Sequence, residues 1–343
     1  MTVLALGELL LRLKSPGYER LLQSGRLEAT FGGAEANVVS SLAADGIATA
    51  FASAVPVGSL GDAALSELRR FGVDVSRVLR VPGRLGVYYL EAGVGHRPAR
   101  VIYDRERSTM ATVDPDDFDW TRLLEGVRWL HVSGITPAIS ASAAQVARDA
   151  VRAAHRAGII VSVDFNHRAM LWQWGASPTE VMPSILEYAS VGIAGREDIQ
   201  SMLGMRLPAS TSGREPDLDA FAALSRAVLD RFPRMDMQAI TIRESETASR
   251  NGWSALLGTR DATYRSRRWE IVDMVDRIGA GDAFSAGLIQ ALLGTGGKAS
   301  QRALEFATAA SCLKHTVPGD VNRVRAFEVD ALLDGEASGR VQR

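Results

Sequence analysis

The 343-residue chain is poor in several kinds of residue and segment. It has one cysteine, so no disulfide can form within the chain, and a reducing compartment such as the cytoplasm is expected. Its formal net charge of −1 gives no global field that would attract nucleic acid or an anionic membrane. No stretch reaches the roughly 20 uninterrupted apolar residues of a membrane span. The composition therefore predicts a cytoplasmic globular protein with neither nucleic acid nor membrane as a partner.

The sequence also lacks the common motifs of metal and serine chemistry. Its five histidines have no H-x-x-x-H or H-E-x-x-H spacing, and the single cysteine, Cys312, has no cysteine partner for a zinc site. There is no Gly-x-x-x-x-Gly-Lys-Ser/Thr phosphate loop and no Gly-x-Ser-x-Gly elbow. The motifs therefore argue against a resident metal centre and against serine hydrolysis.

Strand-like apolar runs alternate with helical patterns along most of the chain. The runs at 129–133 and 159–164 are separated by a helical pattern at 141–157, and a further helical pattern follows at 218–232. Repetition at this spacing indicates βαβ units on a mainly parallel central sheet with helices on both faces. We therefore predict a three-layer α/β/α fold in which residues 1–343 form a single domain.

Two segments, approximately 13–31 and 83–108, interrupt this alternation. Both are rich in glycine, arginine and aromatic residues. Within the second, 86–91 and 99–103 have strand character, and because no helix separates them they favour an antiparallel pair. We interpret the two segments as a small β-sheet lid on the main sheet, with plain loops as the alternative. Since an open strand edge invites pairing, we expect a homo-oligomer, a dimer through the lid strands.

The most informative motif is the run Asp-Arg-Ile-Gly-Ala-Gly-Asp at 276–282. Gly279, Ala280 and Gly281 precede an apolar helical pattern, and glycine lets the backbone approach a ligand closely. The free N–H groups and the dipole at the start of that helix would attract an anion such as phosphate. Asp282, on the first turn, could take a proton from an attacking hydroxyl. The alternative is an aspartate that only caps the helix.

A second glycine motif precedes another helix. Gly32 and Gly33 are followed by Asn37 in the opening turn of that helix. A polar ligand could lie against the two glycines and be fixed by the Asn37 amide. The alternative is a glycine turn with an exposed asparagine.

Two arginines stand where strands end. Arg168 follows a strong strand, and ligands gather at the carboxyl ends of parallel strands. Its guanidinium could hold a carboxylate or phosphate through two parallel hydrogen bonds. Arg105 follows a lid strand and offers a second guanidinium beside Tyr103, unless it forms a surface ion pair with Asp104.

Two further strand ends carry polar side chains. Glu197 or Asp198 could help to order Mg²⁺ through water, or these acids could only complement a helix dipole. Thr241 and Arg243 end another strand and could contact nucleotide phosphates, although chemistry alone does not assign them.

Taken together, these motifs resemble the ribokinase-like (PfkB) family of carbohydrate kinases. The element Gly33–Asn37, the strand end at 164–168 and the run 279–282 occur in that family's order and spacing, and the resemblance covers nearly the whole chain. Within the family the sequence is most similar to the 2-keto-3-deoxygluconate kinases, through Tyr103-Asp104-Arg105 and the run 311–320.

The resemblance implies an ATP- and Mg²⁺-dependent transfer of phosphate to a sugar acid. It implies that Asp282 is the general base and that the amides of Gly279, Ala280 and Gly281 stabilise the transferring phosphoryl group. The residues it implies for the substrate are Gly33, Asn37, Tyr89, Tyr103, Arg105, Arg168 and Asp282. Those it implies for ATP are Asn166, Arg168, Thr241, Arg243, Gly279, Gly281, Ala307 and Ser311. Glu197 would act on Mg²⁺ indirectly.

Two departures from the family pattern bear on this interpretation. Gly195 stands where the family often has asparagine, which weakens the expected ordering of Mg²⁺ or phosphate at that strand end. Arg277 stands where threonine is frequent, which argues against a typical ribokinase. The alternatives are a PfkB kinase of fructose, ribose or 5-keto-2-deoxygluconate, and a sugar-binding protein that has lost catalysis. The retained Asp282 argues against the last.

Overall fold

The structure is a computed structural model that describes residues 2–205 and 216–335. In chain order its strands are β1 (Thr2–Leu6), β2 (Leu10–Lys14), β3 (Glu28–Gly32), β4 (Thr49–Pro56), β5 (Val78–Val81), β6 (Gly86–Glu91), β7 (Arg100–Asp104), β8 (Val127–Ser133), β9 (Ile160–Asp164), β10 (Val191–Gly195), β11 (Met237–Ser245), β12 (Asn251–Thr259), β13 (Thr263–Arg265) and β14 (Trp269–Ile271). Its α-helices are α1 (Ala34–Ala44), α2 (Ser59–Phe71), α3 (Thr109–Thr112), α4 (Trp120–Leu123), α5 (Ile135–Ile139), α6 (Ala141–Arg156), α7 (Pro178–Leu186), α8 (Arg196–Leu203), α9 (Leu218–Arg231), α10 (Ala280–Gly294), α11 (Gln301–Lys314) and α12 (Ala326–Leu333). Within these described ranges no helix is both long and apolar enough to cross a bilayer.

The larger of two sheets is mostly parallel. Its strand order is β13-β12-β11-β10-β9-β8-β1-β4-β5, and β14 also pairs with β12. Every pair from β11 to β5 is parallel, whereas β12 runs antiparallel to its neighbours. Parallel neighbours need crossover connections, which the intervening helices supply. The predicted mainly parallel central sheet is confirmed.

Each face of the large sheet has its own hydrophobic core, because successive side chains of a strand point to opposite faces. On β1, Leu4 packs on the side of α6 and α7, whereas Val3 packs on the side of α1, α10 and α11. The helix predicted at 141–157 is α6, and the one predicted at 218–232 is α9. The predicted α/β/α layering is therefore confirmed.

The smaller sheet has four strands in the order β3-β2-β6-β7. As predicted, the two strands of the second interrupting segment, β6 and β7, form an antiparallel pair. β2 begins at Leu10, ahead of the predicted segment, because it pairs there with Gly32 of β3 and Gly86 of β6. Such contacts between distant segments leave no local pattern. One face of this small sheet, with Leu10 and Tyr88, packs against Ile278 of the glycine-rich run.

Candidate active site

A cavity of about 790 Å³ lies where the large sheet, the small sheet and the glycine-rich run meet. Its walls come from the carboxyl ends of β9, β10 and β11, from the start of α1, and from the inner face of the small sheet. This is the edge at which parallel α/β sheets bind ligands. The volume suits a small molecule together with part of a nucleotide.

The residues 276–282 are here called the anion loop, and residues 277–282 of this loop form one wall of the cavity. Gly279 has φ 79° and directly precedes α10. A Cβ at this position would overlap the carbonyl oxygen of Asp320, so both the backbone angle and the space require glycine. The first amides of α10, those of Ala280, Gly281 and Asp282, have no partner within the helix. They line the cavity, so an anion can bind there.

Asp282 is buried at the start of α10, and its side chain is held by the second glycine motif. The Asn37 amide of α1 donates a hydrogen bond to Oδ2 of Asp282 at 2.6 Å. The two glycine motifs therefore meet in the fold. The carboxylate is bound by this side chain rather than by the helix amides, which gives no support to a pure capping role.

Burial sets the protonation of Asp282. Loss of water, reinforced by the nearby charge of Asp320, raises the pKa of Asp282 to about 7, although the Asn37 hydrogen bond and the cations Arg168 and Lys314 oppose the increase. The group therefore changes charge near neutral pH. A carboxylate with such a pKa suits general-base chemistry.

Two other acids lie in the same wall. Burial raises the pKa of Glu35 to about 7, while hydrogen bonds from the Thr136 hydroxyl at 2.6 Å and the Ser133 amide at 3.0 Å oppose that increase. Burial, together with the charges of Asp198 and Asp282, also raises the pKa of Asp164. The wall around Asp282 is therefore both acidic and shielded from water.

Arg105 is buried and paired with Glu8, a partner that we did not predict. Its Nε donates to Oε2 of Glu8 at 2.7 Å, and its Nη2 donates to the same oxygen. The guanidinium also lies 5.6 Å from the ring centre of Tyr103. Asp104 instead pairs with Arg84 at 2.7 Å, so the Asp104–Arg105 surface pair considered above does not form. Oε1 of Glu8 is buried without a hydrogen-bond partner in the described part of the chain.

Three further arginines face the cavity without a carboxylate partner among residues 2–205 and 216–335. These are Arg168, Arg243 and Arg277. Arg168 donates to its neighbouring carbonyl at 2.9 Å, and Arg243 lies 5.2 Å from the ring centre of Trp253. Burial, and then the charges of Arg277 and Arg168, lower the pKa of Arg243 to about 10. Unpaired like charges of this kind are relieved by an anionic ligand.

The end of β10 is fixed by Asp198. Its carboxylate accepts hydrogen bonds from the amide of Gly195 at 2.8 Å and from the amide of His167 at 2.9 Å. Glu197 also lines the cavity, and its side chain is 87% exposed. No group of three or more potential metal ligands occurs in the described residues. The exposed carboxylate of Glu197 suits a hydrated cation that arrives with a ligand.

Most of the residues that we singled out from the sequence line this one cavity. They are Gly33, Asn37, Tyr103, Arg105, Asn166, Arg168, Glu197, Thr241, Arg243, Gly279, Ala280, Gly281 and Asp282.

Gly32 and three residues implied by the resemblance do not line it. Tyr88 takes the place of Tyr89, because neighbouring side chains of β6 point to opposite faces of the small sheet. Ala307 and Ser311 are fully buried on α11. Ser311 Oγ donates to the carbonyl of Ala280 at 2.7 Å, so it supports the anion loop from behind.

The fold and the site define a class of protein. A mainly parallel α/β/α domain with an anion loop at a helix start and a buried aspartate of raised pKa is suited to phosphoryl transfer to a small molecule. The chain belongs to the pfkB family of carbohydrate kinases, whose sequence profile matches residues 2–228 and 248–325.

Named relatives share almost the whole chain. It is 30% identical over 333 residues to 2-dehydro-3-deoxygalactonokinase of Haloferax volcanii, covering 97% of this chain and 96% of that protein. It is 28% identical over 326 residues to 2-dehydro-3-deoxygluconokinase of Thermoproteus tenax, covering 93% and 90%. The crystal structure of 2-dehydro-3-deoxygluconokinase from Thermotoga maritima matches with a TM-score of 0.90 and 40% identity, covering 98% of each chain. The predicted similarity to this kind of sugar kinase is confirmed.

Proposed function

We propose that the protein transfers the γ-phosphoryl group of ATP to the terminal hydroxyl of a 2-keto-3-deoxy sugar acid. The first candidate is 2-keto-3-deoxygluconate, also named 2-dehydro-3-deoxygluconate, with 2-keto-3-deoxy-6-phosphogluconate as the product. The observation that carries this proposal is the position of Asp282. This residue is buried beside Asn37, on the first turn of α10, the helix whose first amides belong to the anion loop. The names of the relatives supply the substrate class.

Asp282 would act as the general base. The terminal hydroxyl oxygen bonds to the γ-phosphorus, its proton passes to the carboxylate of Asp282, and ADP leaves. A base with a pKa of about 7 is ionised in a large fraction of molecules at neutral pH yet still accepts a proton. The amides of Gly279, Ala280 and Gly281 would stabilise the charge on the phosphoryl oxygens.

The sugar acid would lie between the anion loop and the inner face of the small sheet. Asn37 and the backbone at Gly33 would contact its hydroxyls. Arg168 is the better candidate for its carboxylate, since the guanidinium of Arg105 is already neutralised by Glu8. The Arg105–Glu8 pair, with Tyr103 beside it, would then bind hydroxyl or keto oxygens.

ATP would occupy the end of the cavity near β11. Asn166, Thr241 and Arg243, with the amides of Gly279 and Gly281, would contact its phosphates. Mg²⁺ would be held there mainly by phosphate oxygens and water, with Glu197 as an exposed carboxylate lining the same cavity, and would neutralise phosphate charge. Gly195 leaves this strand end without a side-chain amide, and the carboxylate of Asp198 holds it through the Gly195 backbone amide.

We also propose that residues 1–343 work as one cytoplasmic kinase domain whose small sheet is a lid over the cavity. The outer face of that sheet carries apolar side chains that are partly exposed. Tyr89 of β6 lies between its cross-strand neighbours Leu13 of β2 and Ile102 of β7. A second copy of the chain packed on this face would give a dimer.

The names of the relatives leave two epimers of the sugar acid as candidate substrates. The Haloferax volcanii relative is named for the galactonate acid, whereas the two others are named for the gluconate acid. A kinase of neutral sugars such as fructose is the next alternative.

An ADP-release assay on a panel of sugars and sugar acids tests the proposal. The panel contains both 2-keto-3-deoxy acids, 5-keto-2-deoxygluconate, fructose and ribose, and the Asp282→Asn variant supplies the blank. We expect the highest kcat/KM with a 2-keto-3-deoxy acid. A higher value with a neutral sugar would overturn the acid preference, and no ADP release with any compound would overturn the kinase assignment.

A further inference from the structure

Arg12 lies on β2 of the small sheet, and its side chain crosses to the anion loop. Only 2% of that side chain is exposed. Nη2 donates to Oδ2 of Asp276 at 2.7 Å, and Nη1 donates to Oδ1 of Asp320. One guanidinium therefore joins two carboxylates that lie far away in sequence, at the start of the anion loop and just beyond α11.

Each of these carboxylates holds other segments in turn. Oδ1 of Asp276 accepts the amide of Ile278 at 3.0 Å, inside the anion loop, and Oδ2 accepts the amide of Gly319 at 3.1 Å. Asp320 accepts a hydrogen bond from the hydroxyl of Tyr88 on β6. Two strands of the small sheet, the anion loop and the 319–320 turn thus share one buried set of charged contacts.

The backbone of Asp320 adds a second link to the anion loop. Its carbonyl oxygen occupies the space that a side chain at Gly279 would need, so it packs directly against the first residue before α10. Its side chain likewise fills the space beside Gly32 of β3. A shift of Asp320 would therefore displace both the anion loop and the small sheet.

The charges of this set require Arg12. In the described ranges it is the only cation in an ion pair with either Asp276 or Asp320, whose side chains are 6% and 4% exposed. Lys314 is buried nearby and gives its hydrogen bond to the carbonyl of Val317 at 3.0 Å. Since a buried carboxylate that loses its partner is strongly destabilised, the two acids keep this geometry only while the guanidinium bridges them.

We propose that Arg12 is a positioning residue for phosphoryl transfer, which aligns the amides of the anion loop with Asp282 only while the small sheet covers the cavity. The proposal rests on the proposed function. Arg12 does not line the cavity and need not touch either substrate. It acts by making the position of the small sheet and the shape of the anion loop depend on each other.

This role has a chemical consequence besides slower turnover. When the small sheet is no longer held over the cavity, water enters beside the γ-phosphate and competes with the sugar hydroxyl. The water oxygen bonds to the γ-phosphorus, the bond to the β–γ bridging oxygen breaks, and a water proton is released to solvent. ATP is then hydrolysed to ADP and inorganic phosphate without a phosphorylated sugar.

The test compares Arg12→Lys and Arg12→Met with a control on the same strand, Lys14→Met. Lys14 pairs with Glu28 at 3.1 Å, within the small sheet, and in the described part of the chain it forms no hydrogen bond or ion pair with the anion loop. A lysine at position 12 keeps the charge but lacks the planar fork that joins two carboxylates. For each variant one measures kcat, both KM values, the thermal midpoint, and the ratio of ADP released to sugar phosphate formed.

We expect Arg12→Lys to lower kcat by about 10²-fold, as misplacement of about 1 Å does, with smaller changes in the KM values. We also expect its ratio of ADP to sugar phosphate to rise clearly above one, whereas Lys14→Met keeps the wild-type kcat and ratio. Tyr88→Phe, which removes one hydroxyl from the set, should raise the ratio less.

Two results would overturn the proposal. One is a wild-type kcat and ratio in Arg12→Lys, and the other is a fall in kcat that matches the loss of folded protein while the ratio stays at one. Arg12→Lys decides the outcome if Arg12→Met does not fold. Failure of the proposed function is recognised separately, because the wild-type protein itself would then phosphorylate no sugar acid.

Discussion

Replacing Asp282 with asparagine should abolish most activity and stabilise the protein above neutral pH. The asparagine keeps the size of the side chain but cannot accept the hydroxyl proton. We expect kcat to fall by at least about 10²-fold, the usual contribution of a general base, with ATP binding little changed. The same change removes a carboxylate that the fold holds in a buried site.

The stability gain follows from the raised pKa. An increase from the ordinary 3.8 to about 7 means that ionised Asp282 costs the folded state up to about 4 kcal/mol. Below pH 4 the group is protonated in both the folded and the unfolded chain, so it costs nothing there. As pH rises from 4 to 7 the unfolded chain loses the proton first, and the cost grows until the folded group also ionises.

Denaturant unfolding at pH 5 and pH 8 measures this cost. Asp282→Asn should raise the free energy of unfolding by a few kcal/mol at pH 8, and by less at pH 5. Asp261→Asn, at an exposed aspartate between β12 and β13, is the matched control and should change little at either pH. Near-normal turnover in Asp282→Asn would remove this residue from the mechanism, and a loss of stability at pH 8 would refute the electrostatic reasoning.

Four further results are expected from other positions. Arg168→Ala should raise KM for the sugar acid about 10- to 100-fold, and far less for a neutral analogue, because a hydrogen bond to a charged group is lost; equal effects on both would exclude a carboxylate contact. Arg243→Met, at the arginine proposed to contact the ATP phosphates, should raise KM for ATP and reduce its dependence on salt, as measured by initial rates between 50 and 300 mM salt; an unchanged salt dependence would contradict this. Gly279→Ala should lower the free energy of unfolding in denaturant by about 1–3 kcal/mol, since φ is 79° and Asp320 fills the space. In the control Gly281→Ala a Cβ meets nothing within 4 Å, so the free energy of unfolding should change by less than about 1 kcal/mol. Tyr89→Glu should give a monomer in sedimentation velocity, because it places a charge on the outer face of the small sheet; a persistent dimer would place the interface elsewhere.

Local patterns predicted the parts of the fold that depend on neighbouring residues. The amphipathic spacing of the sequence predicted the helix at 141–157. The glycines before the next apolar helical pattern predicted the backbone turn at Gly279, at the start of α10. The hairpin of β6 and β7 follows from two strand-like runs with no helix between them. In each case the residues that determine the local structure lie close to one another in the sequence.

The contacts of the site depend on register and on distant segments, which local patterns do not encode. The partner of Arg105 is Glu8, on the loop between β1 and β2, and not its neighbour Asp104. Whether Tyr88 or Tyr89 faces the cavity depends on how β6 pairs with β2, since a shift of one residue exchanges the faces. The sequence around Arg12 did not indicate its ion pairs, because both of its partners lie more than 260 positions away in sequence.

The most direct test of the central claim is phosphorus NMR of the product formed from ATP and 2-keto-3-deoxygluconate. If Asp282 activates the terminal hydroxyl, the spectrum should show one phosphomonoester, coupled to the terminal CH₂ protons of the sugar acid, and Asp282→Asn should form almost none of it. A spectrum with inorganic phosphate alone, or with the phosphate on another carbon, would contradict the proposed reaction.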